Sequence, residues 1–275
     1  MSASSVRFGI ARLAAAAALI VAPALPAAAQ GAPSALPEKY EFVIGGFNAT
    51  FDTLFGLKLT NSDNVSIVDF ERDLGSPDSN TVFRGSAAIR FGKHQFRAGY
   101  YKTSRESTKT LDRQIVWGDQ VFTIGASVGS SFSTSFPEVD YTYWFVSSPK
   151  VAAGATLGVT NFGVELGVNA ALNSRNAAAQ VDQSVIVPLF GAELRVLPAN
   201  WFVVKAGGGY INDFSGTSVW RLGAGVEPRI YKSLWLGVAF DAIKFNVSQD
   251  AALFDLNAAG NLRIGGVQFY ARLGF

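Results

Sequence analysis

Cysteine is absent from this sequence, so neither disulfide staples nor a thiolate metal site can hold the chain together. Histidine occurs once, as His94 in the turn-like stretch "FGKHQ", with no neighbouring ligands. A lone solvated imidazole supports neither a metal site nor a catalytic dyad. Charge of either sign is scarce and balanced: 23 Lys and Arg against 21 Asp and Glu leave a net +2, which gives no reason to expect nucleic acid as a partner. Beyond residue 29 no apolar run is long enough for a membrane helix, and no stretch carries a helical period. A chain like this can enter a membrane only as strands. Nothing in it calls for a cofactor.

What is present begins with an export signal. Arg7 and Arg12 precede the apolar stretch "LAAAAALIVAPAL", and "PAAAQ" offers small residues at Ala27 and Ala29. A basic region, a short apolar core and an A-x-A site read as a signal peptide over residues 1–29, leaving residues 30–275 as the exported domain. Pro23 and Pro26 interrupt the run and argue against an anchor.

After residue 40 the sequence alternates with period two. Phe83, Ala87, Ile89 and Phe91 oppose Arg84, Ser86, Ala88 and Arg90. Phe190, Ala192 and Leu194 oppose Gly191, Glu193 and Arg195, and Trp220, Leu222, Ala224 and Val226 oppose Arg221, Gly223, Gly225 and Glu227. Short Gly- or Pro-containing links ("FGKHQ", "SSPK", "LPAN", "YKSL") alternate with polar segments at 60–80, 106–131, 171–184, 212–218 and 247–260. Strict alternation of short and long links predicts an all-β, antiparallel up-and-down transmembrane barrel of about ten strands. The pattern slips near Asn161 and again at Gly265-Gly266. Each slip predicts a bulge, or at Asn161 a hidden hairpin, which keeps eight or twelve strands open.

Alternation alone does not say which face is outside, because a soluble exported barrel would turn the same residues inward. Three features predict the membrane arrangement. The strands reach the roughly 9–11 residues of a tilted crossing. Phe91, Phe96, Tyr143, Phe145, Trp201, Phe202, Tyr231, Trp235 and Phe275 flank the short links, where an interfacial girdle would lie. The opposite face mixes Gly and Ala with charges of both signs. On that polar face fall Asp52, Arg84, Arg90, Arg97, Asp140, Glu165, Glu193, Arg195, Lys205, Arg221, Glu227, Arg229, Asp241 and Arg272. In a barrel this narrow they predict an interior blocked or narrowed by Arg–carboxylate pairs, while a selectivity ladder for a small solute would use the same residues.

The chain ends on "VQFYARLGF", with Val267, Phe269, Leu273 and Phe275 at alternating positions. This terminus resembles the C-terminal signature of Gram-negative outer-membrane barrels, with Ala271 a weaker match. The resemblance implies residence in outer-membrane lipid and recognition by the barrel-assembly machinery during biogenesis. Residues 104–133, "SRESTKTLDRQIVWGDQVFTIGASVGSSFS", resemble a loop of uncharacterised OmpA-like barrel proteins, which implies membership without an activity.

Signs of catalysis are weak. "GASVG" at 125–129 fits a nucleophile-elbow spacing around Ser127, but that motif needs a strand–turn–helix setting and a nearby histidine. The acids Asp112, Asp119, Glu138 and Asp140 are expected to be solvated loop groups and, for Asp140, a lumen group. The sequence therefore predicts a non-enzymatic outer-membrane barrel with a structural or surface-contact role, with a narrow channel as the alternative and a hydrolase as a remote one.

Overall fold

A computed structural model describes residues 34–58, 65–117, 120–172, 175–212, 218–247 and 258–275. The export signal lies outside the described residues. Alternating sequence becomes extended backbone throughout, and no described residue is helical. The strands are β1 (Tyr40–Lys58), β2 (Val65–Asp69), β3 (Ser79–Phe91), β4 (His94–Thr110), β5 (Ile115–Trp117), β6 (Gln120–Phe122), β7 (Ser127–Ser147), β8 (Val151–Leu172), β9 (Arg175–Ala199), β10 (Phe202–Asn212), β11 (Ser218–Tyr231), β12 (Leu234–Val247) and β13 (Ala258–Gly274).

Ten of these form one antiparallel sheet in the order β1-β3-β4-β7-β8-β9-β10-β11-β12-β13, and β13 pairs back onto β1 from Glu41↔Gly274 to Leu57↔Ala258. The barrel is closed, so no sheet edge is left to hydrogen-bond in lipid. Beyond the ring, β2 adds to the upper end of β1, and β5 and β6 form a separate hairpin. "Upper" here means the end carrying the long links. At the lower end the terminus closes the seam: Tyr40 and Phe275 exchange backbone hydrogen bonds of 2.8 and 3.0 Å, and the Phe275 ring stacks on Phe42. Val267 and Phe269 face outward on the same strand, both exposed.

The two predicted irregularities are absent. β8 pairs with β9 from Val151↔Val196 to Leu172↔Arg175 without a register shift, and β13 runs unbroken through Gly265-Gly266. Register does shift at Trp144/Val146, Phe202/Val204 and Arg229/Tyr231, all beside the short links, where rim bulges turn a barrel strand.

What changes at Asn161 and at Gly265 is polarity, not register. Along β8 the inward residues are Ala152, Gly154, Thr156, Gly158 and Thr160 below Asn161, then Phe162, Val164, Leu166, Val168 and Ala170 above it. The outward residues exchange in the opposite sense, with Leu157 and Val159 exposed below and Glu165 and Asn169 exposed above. On β13, Leu262 and Ile264 are buried above Gly265, whereas Gln268, Tyr270 and Arg272 are buried below it. On β7 the change falls at Pro137, between inward Phe136 and inward Glu138, and on β1 at Gly46, below inward Phe47.

The barrel thus has two halves with opposite insides. The lower half is apolar outside and polar inside, as lipid requires. The upper half is apolar inside and polar outside, as water requires. From Phe136 up to Ser127, at ~3.3 Å per residue and a tilt near 40°, the upper half stands roughly 25 Å clear of the belt.

The upper half is filled. Phe47, Phe51, Phe55, Phe132, Phe136, Phe162, Leu166, Phe245 and Leu262 form one core with Phe70 and Leu74 from the segment after β2 and with Ile115 and Phe122 from the β5–β6 hairpin. Arg105 is buried in this core between the rings of Phe51 and Phe132, 4.2 and 4.6 Å from its guanidinium carbon. It donates to Glu71 at 2.5 Å, to Thr53 at 2.7 Å and to the Pro77 carbonyl at 2.9 Å, tying the inserted segment to the wall.

Candidate functional site

Below the apolar core lies a cavity of about 180 Å³, enough for a cluster of waters. Its lid is a layer of rings contributed from opposite sides of the barrel. Tyr101 of β4 stacks on Phe136 of β7 at 4.3 Å, Phe162 of β8 stacks on Phe245 of β12 at 4.1 Å, and Phe136 meets Phe162 and Phe245 at 5.1 and 5.7 Å. Its floor is a second apolar cluster of Trp144, Leu197, Val203 and Trp235, into which Ala35 inserts. The segment 34–39 is anchored beneath the barrel: Ala35 N–H donates to the Pro149 carbonyl at 2.9 Å, and Arg195 Nε and Arg90 Nε donate to the carbonyls of Ala35 and Pro37 at 3.1 and 2.6 Å.

Six cations (Arg84, Arg97, Arg195, Lys205, Arg221, Arg272) and five carboxylates (Glu41, Asp140, Glu193, Glu227, Asp241) line the chamber, and buried Glu138 bridges two of the arginines. They form linked groups. Near the lid, Glu138 accepts from Arg84 at 3.1 Å and from Arg221 at 2.5 Å, and Arg84 reaches Asp241 at 3.4 Å. On the wall, Arg97 grips Glu193 with both terminal nitrogens, at 2.7 and 3.3 Å. Near the floor, fully buried Glu227 accepts from Tyr270 Oη at 2.7 Å and Arg272 Nε at 2.9 Å, with Lys205 Nζ 3.0 Å away. Arg272 also donates to Glu41 at 2.8 Å and to Glu38. Gln95 donates to Glu41 at 3.1 Å and accepts from Trp144 Nε1 at 3.1 Å, joining floor to network.

Strand parity explains most of this placement. Ten strands leave too little width for these side chains to stay apart, and buried charges need partners. Glycine supplies the remaining room: a Cβ at Gly237 would lie 2.0 Å from the Tyr270 ring, which packs flat there to reach Glu227.

Ten of the fourteen polar-face residues named from the sequence line the chamber: Arg84, Arg97, Asp140, Glu193, Arg195, Lys205, Arg221, Glu227, Asp241 and Arg272. The other four do not. Glu165 lies in the upper half, where the same parity points out to water, and is exposed. Asp52 is also outward there, 3.9 Å from Arg263. Arg90 and Arg229 are at the lower rim, donating to carbonyls of Pro37, Gly92 and Lys232.

Two further expectations are corrected. Glu138 is buried and bonded to the chamber arginines Arg84 and Arg221 rather than a loop acid, a placement its spacing of two from Asp140 could have indicated. Trp235 is in the floor cluster rather than the lipid girdle. Glu38, Glu41, Gln95 and Tyr270 were missed, because they precede or interrupt the charge alternation.

Ser127 opens β7 exposed, opposite Thr110, while His94 lies at the other end of β4 and bonds Tyr141 Oη at 2.7 Å. From His94 to Thr110 the strand spans ~50 Å, so the two cannot act together. Asp112 is exposed beside Lys109, and Asp119 lies outside the described residues. No group of potential metal ligands occurs among the described residues.

No protein-family model and no curated protein matches this chain. Among solved structures it is similar to the outer-membrane protease OmpT of Escherichia coli, with a TM-score of 0.60 and 9% identity over 87% of this chain and 97% of that one. The translocator domain of autotransporter NalP from Neisseria meningitidis aligns with a TM-score of 0.47 and 11% identity over 97% and 98%. Neisserial surface protein A aligns with a TM-score of 0.36 and 12% identity over 87% and 99%. At such identity the likeness to OmpT carries the fold and nothing of activity. This chain has the fold of an outer-membrane β-barrel, with ten strands in its closed ring.

Proposed function

We propose that this chain is a non-enzymatic integral protein of a Gram-negative outer membrane, exported by its signal and folded by the barrel-assembly machinery. Its role is structural, or one of surface contact through the part that stands above the bilayer. The observation that carries this reading is the apolar core filling the upper half above the Tyr101–Phe136–Phe162–Phe245 layer. Solute would have to displace that core, and most of the charges beneath it are already paired with one another. Purified protein in a planar bilayer should give no discrete current steps. Regular steps from the wild-type chain would overturn the reading in favour of the narrow channel, and a turnover lost on Ser127→Ala would overturn it in favour of the hydrolase.

A further inference from the structure

The outer wall from β11 to β1 departs from the rest of the belt. On β12 the exposed outward residues Leu236, Val238 and Phe240 are followed by Ala242 and then Lys244. On β13 the exposed Phe269 and Val267 are followed by Gly265 and then Arg263. Lys244 and Arg263 are direct cross-strand partners, with Trp220 next to Lys244 on β11 and Asp52 next to Arg263 on β1. Two like charges held opposite each other on one sheet face repel and destabilise the pair unless an anion lies between them. Among the described residues Arg263 pairs with Asp52 at 3.9 Å, and Lys244 makes no ion pair.

Beneath the two cations the wall is notched. Ala242 and Gly265 are partners in the row directly below, and a Cβ at Gly265 would meet nothing nearer than 3.7 Å. The bulky Phe240 and Leu222 border that notch, and Thr50 closes it by donating to the Gly265 carbonyl at 2.8 Å. Vertical order decides the ligand. The apolar run ends at the notch and the cations come one outward position later, the level where lipid phosphates meet the acyl region.

We infer that Lys244 and Arg263 form a binding site for the phosphate of an anionic lipid headgroup at the upper leaflet, with Trp220 beside it and an acyl chain in the Ala242–Gly265 notch. The site rests on the membrane reading above. It takes lipid rather than free phosphate because the notch adds apolar area that inorganic phosphate cannot use.

The test uses the full detergent-purified chain, reconstituted into vesicles of phosphatidylcholine alone or with phosphatidylglycerol, and measures retained lipid by native mass spectrometry. Phosphatidylglycerol should be retained preferentially. Each cation near an anionic surface is worth about five-fold in affinity, so the Lys244→Gln, Arg263→Gln double variant should lose on the order of 30-fold. Asp52→Asn, which removes the competing carboxylate, should strengthen retention. All three substitutions lie on the outward face of the barrel, and heat-modified gel mobility reports whether the barrel has folded. Equal preference in wild type and double variant overturns the site while leaving the barrel standing. Protection from unfolding by inorganic phosphate alone overturns the lipid assignment. A chain that inserts into neither vesicle overturns the membrane reading and the site with it.

Discussion

At the scale of single residues, charge is placed where a partner waits. Arg105 could not remain in the upper core without Glu71, Thr53 and the Pro77 carbonyl, since an unpaired buried guanidinium would cost several kcal/mol. Asp73, in the same inserted segment, is outside the bilayer and shows the effect on titration. Burial pushes its carboxyl up, but hydrogen bonds from Arg113, from Arg72 and from the Asp69 N–H outweigh that and hold it at about 2 against an ordinary 3.8. A carboxyl lowered on folding stabilises the folded state above its unfolded value and loses that stabilisation as pH falls through the folded one. Thermal midpoints of wild type and Asp73→Asn should therefore differ above about pH 4 and converge toward pH 2. Parallel curves across that window would show that Asp73 does not latch the segment.

At the scale of the element, β8 shows how one unbroken strand serves two solvents. Its parity never changes, yet Leu157 faces lipid while Glu165, on the same outward side, faces water. Leu157→Lys should cost about 2–4 kcal/mol of barrel stability, as a lysine at the lipid face does. Glu165→Lys should be nearly neutral, and Leu166→Lys, which buries a charge in the upper core, should block folding or destabilise strongly. Urea unfolding monitored by heat-modified gel mobility ranks the three. A neutral Leu157→Lys, or a costly Glu165→Lys, would place the belt elsewhere.

At the scale of the whole molecule, closure is achieved twice. The N-terminal segment and the Trp144–Trp235 cluster close the lower end, and the aromatic layer with the core above it closes the upper one. The layer is only part of the upper closure, because Phe70 and Leu74 of the segment after β2 are packed into the same core above it. Combined Phe136→Gly, Phe162→Gly and Phe245→Gly should lower stability sharply, each large-to-small change costing about 3–5 kcal/mol. The folded fraction should still conduct nothing, because Phe70 and Leu74 remain seated above. Current steps from this variant alone would identify the layer as the sole upper gate.

The strand count, the order of short and long links, the closing terminus and most chamber residues were legible in the sequence, because a period of two survives whatever surrounds it. The slips at Asn161 and Gly265 were visible but not interpretable: a bulge and an exchange of environments leave the same trace in a single strand. Glu165 and Asp52 were misplaced for that reason, and Glu138 was hidden beside the long loop.

Alternation alone determined that each strand has two unlike faces. Tertiary structure decided what each face meets, because the level at which lipid ends and water begins belongs to the ring of neighbours and to no strand by itself. Above that level the favourable burial runs inward, and the same chain that lines a polar chamber below becomes a packed core.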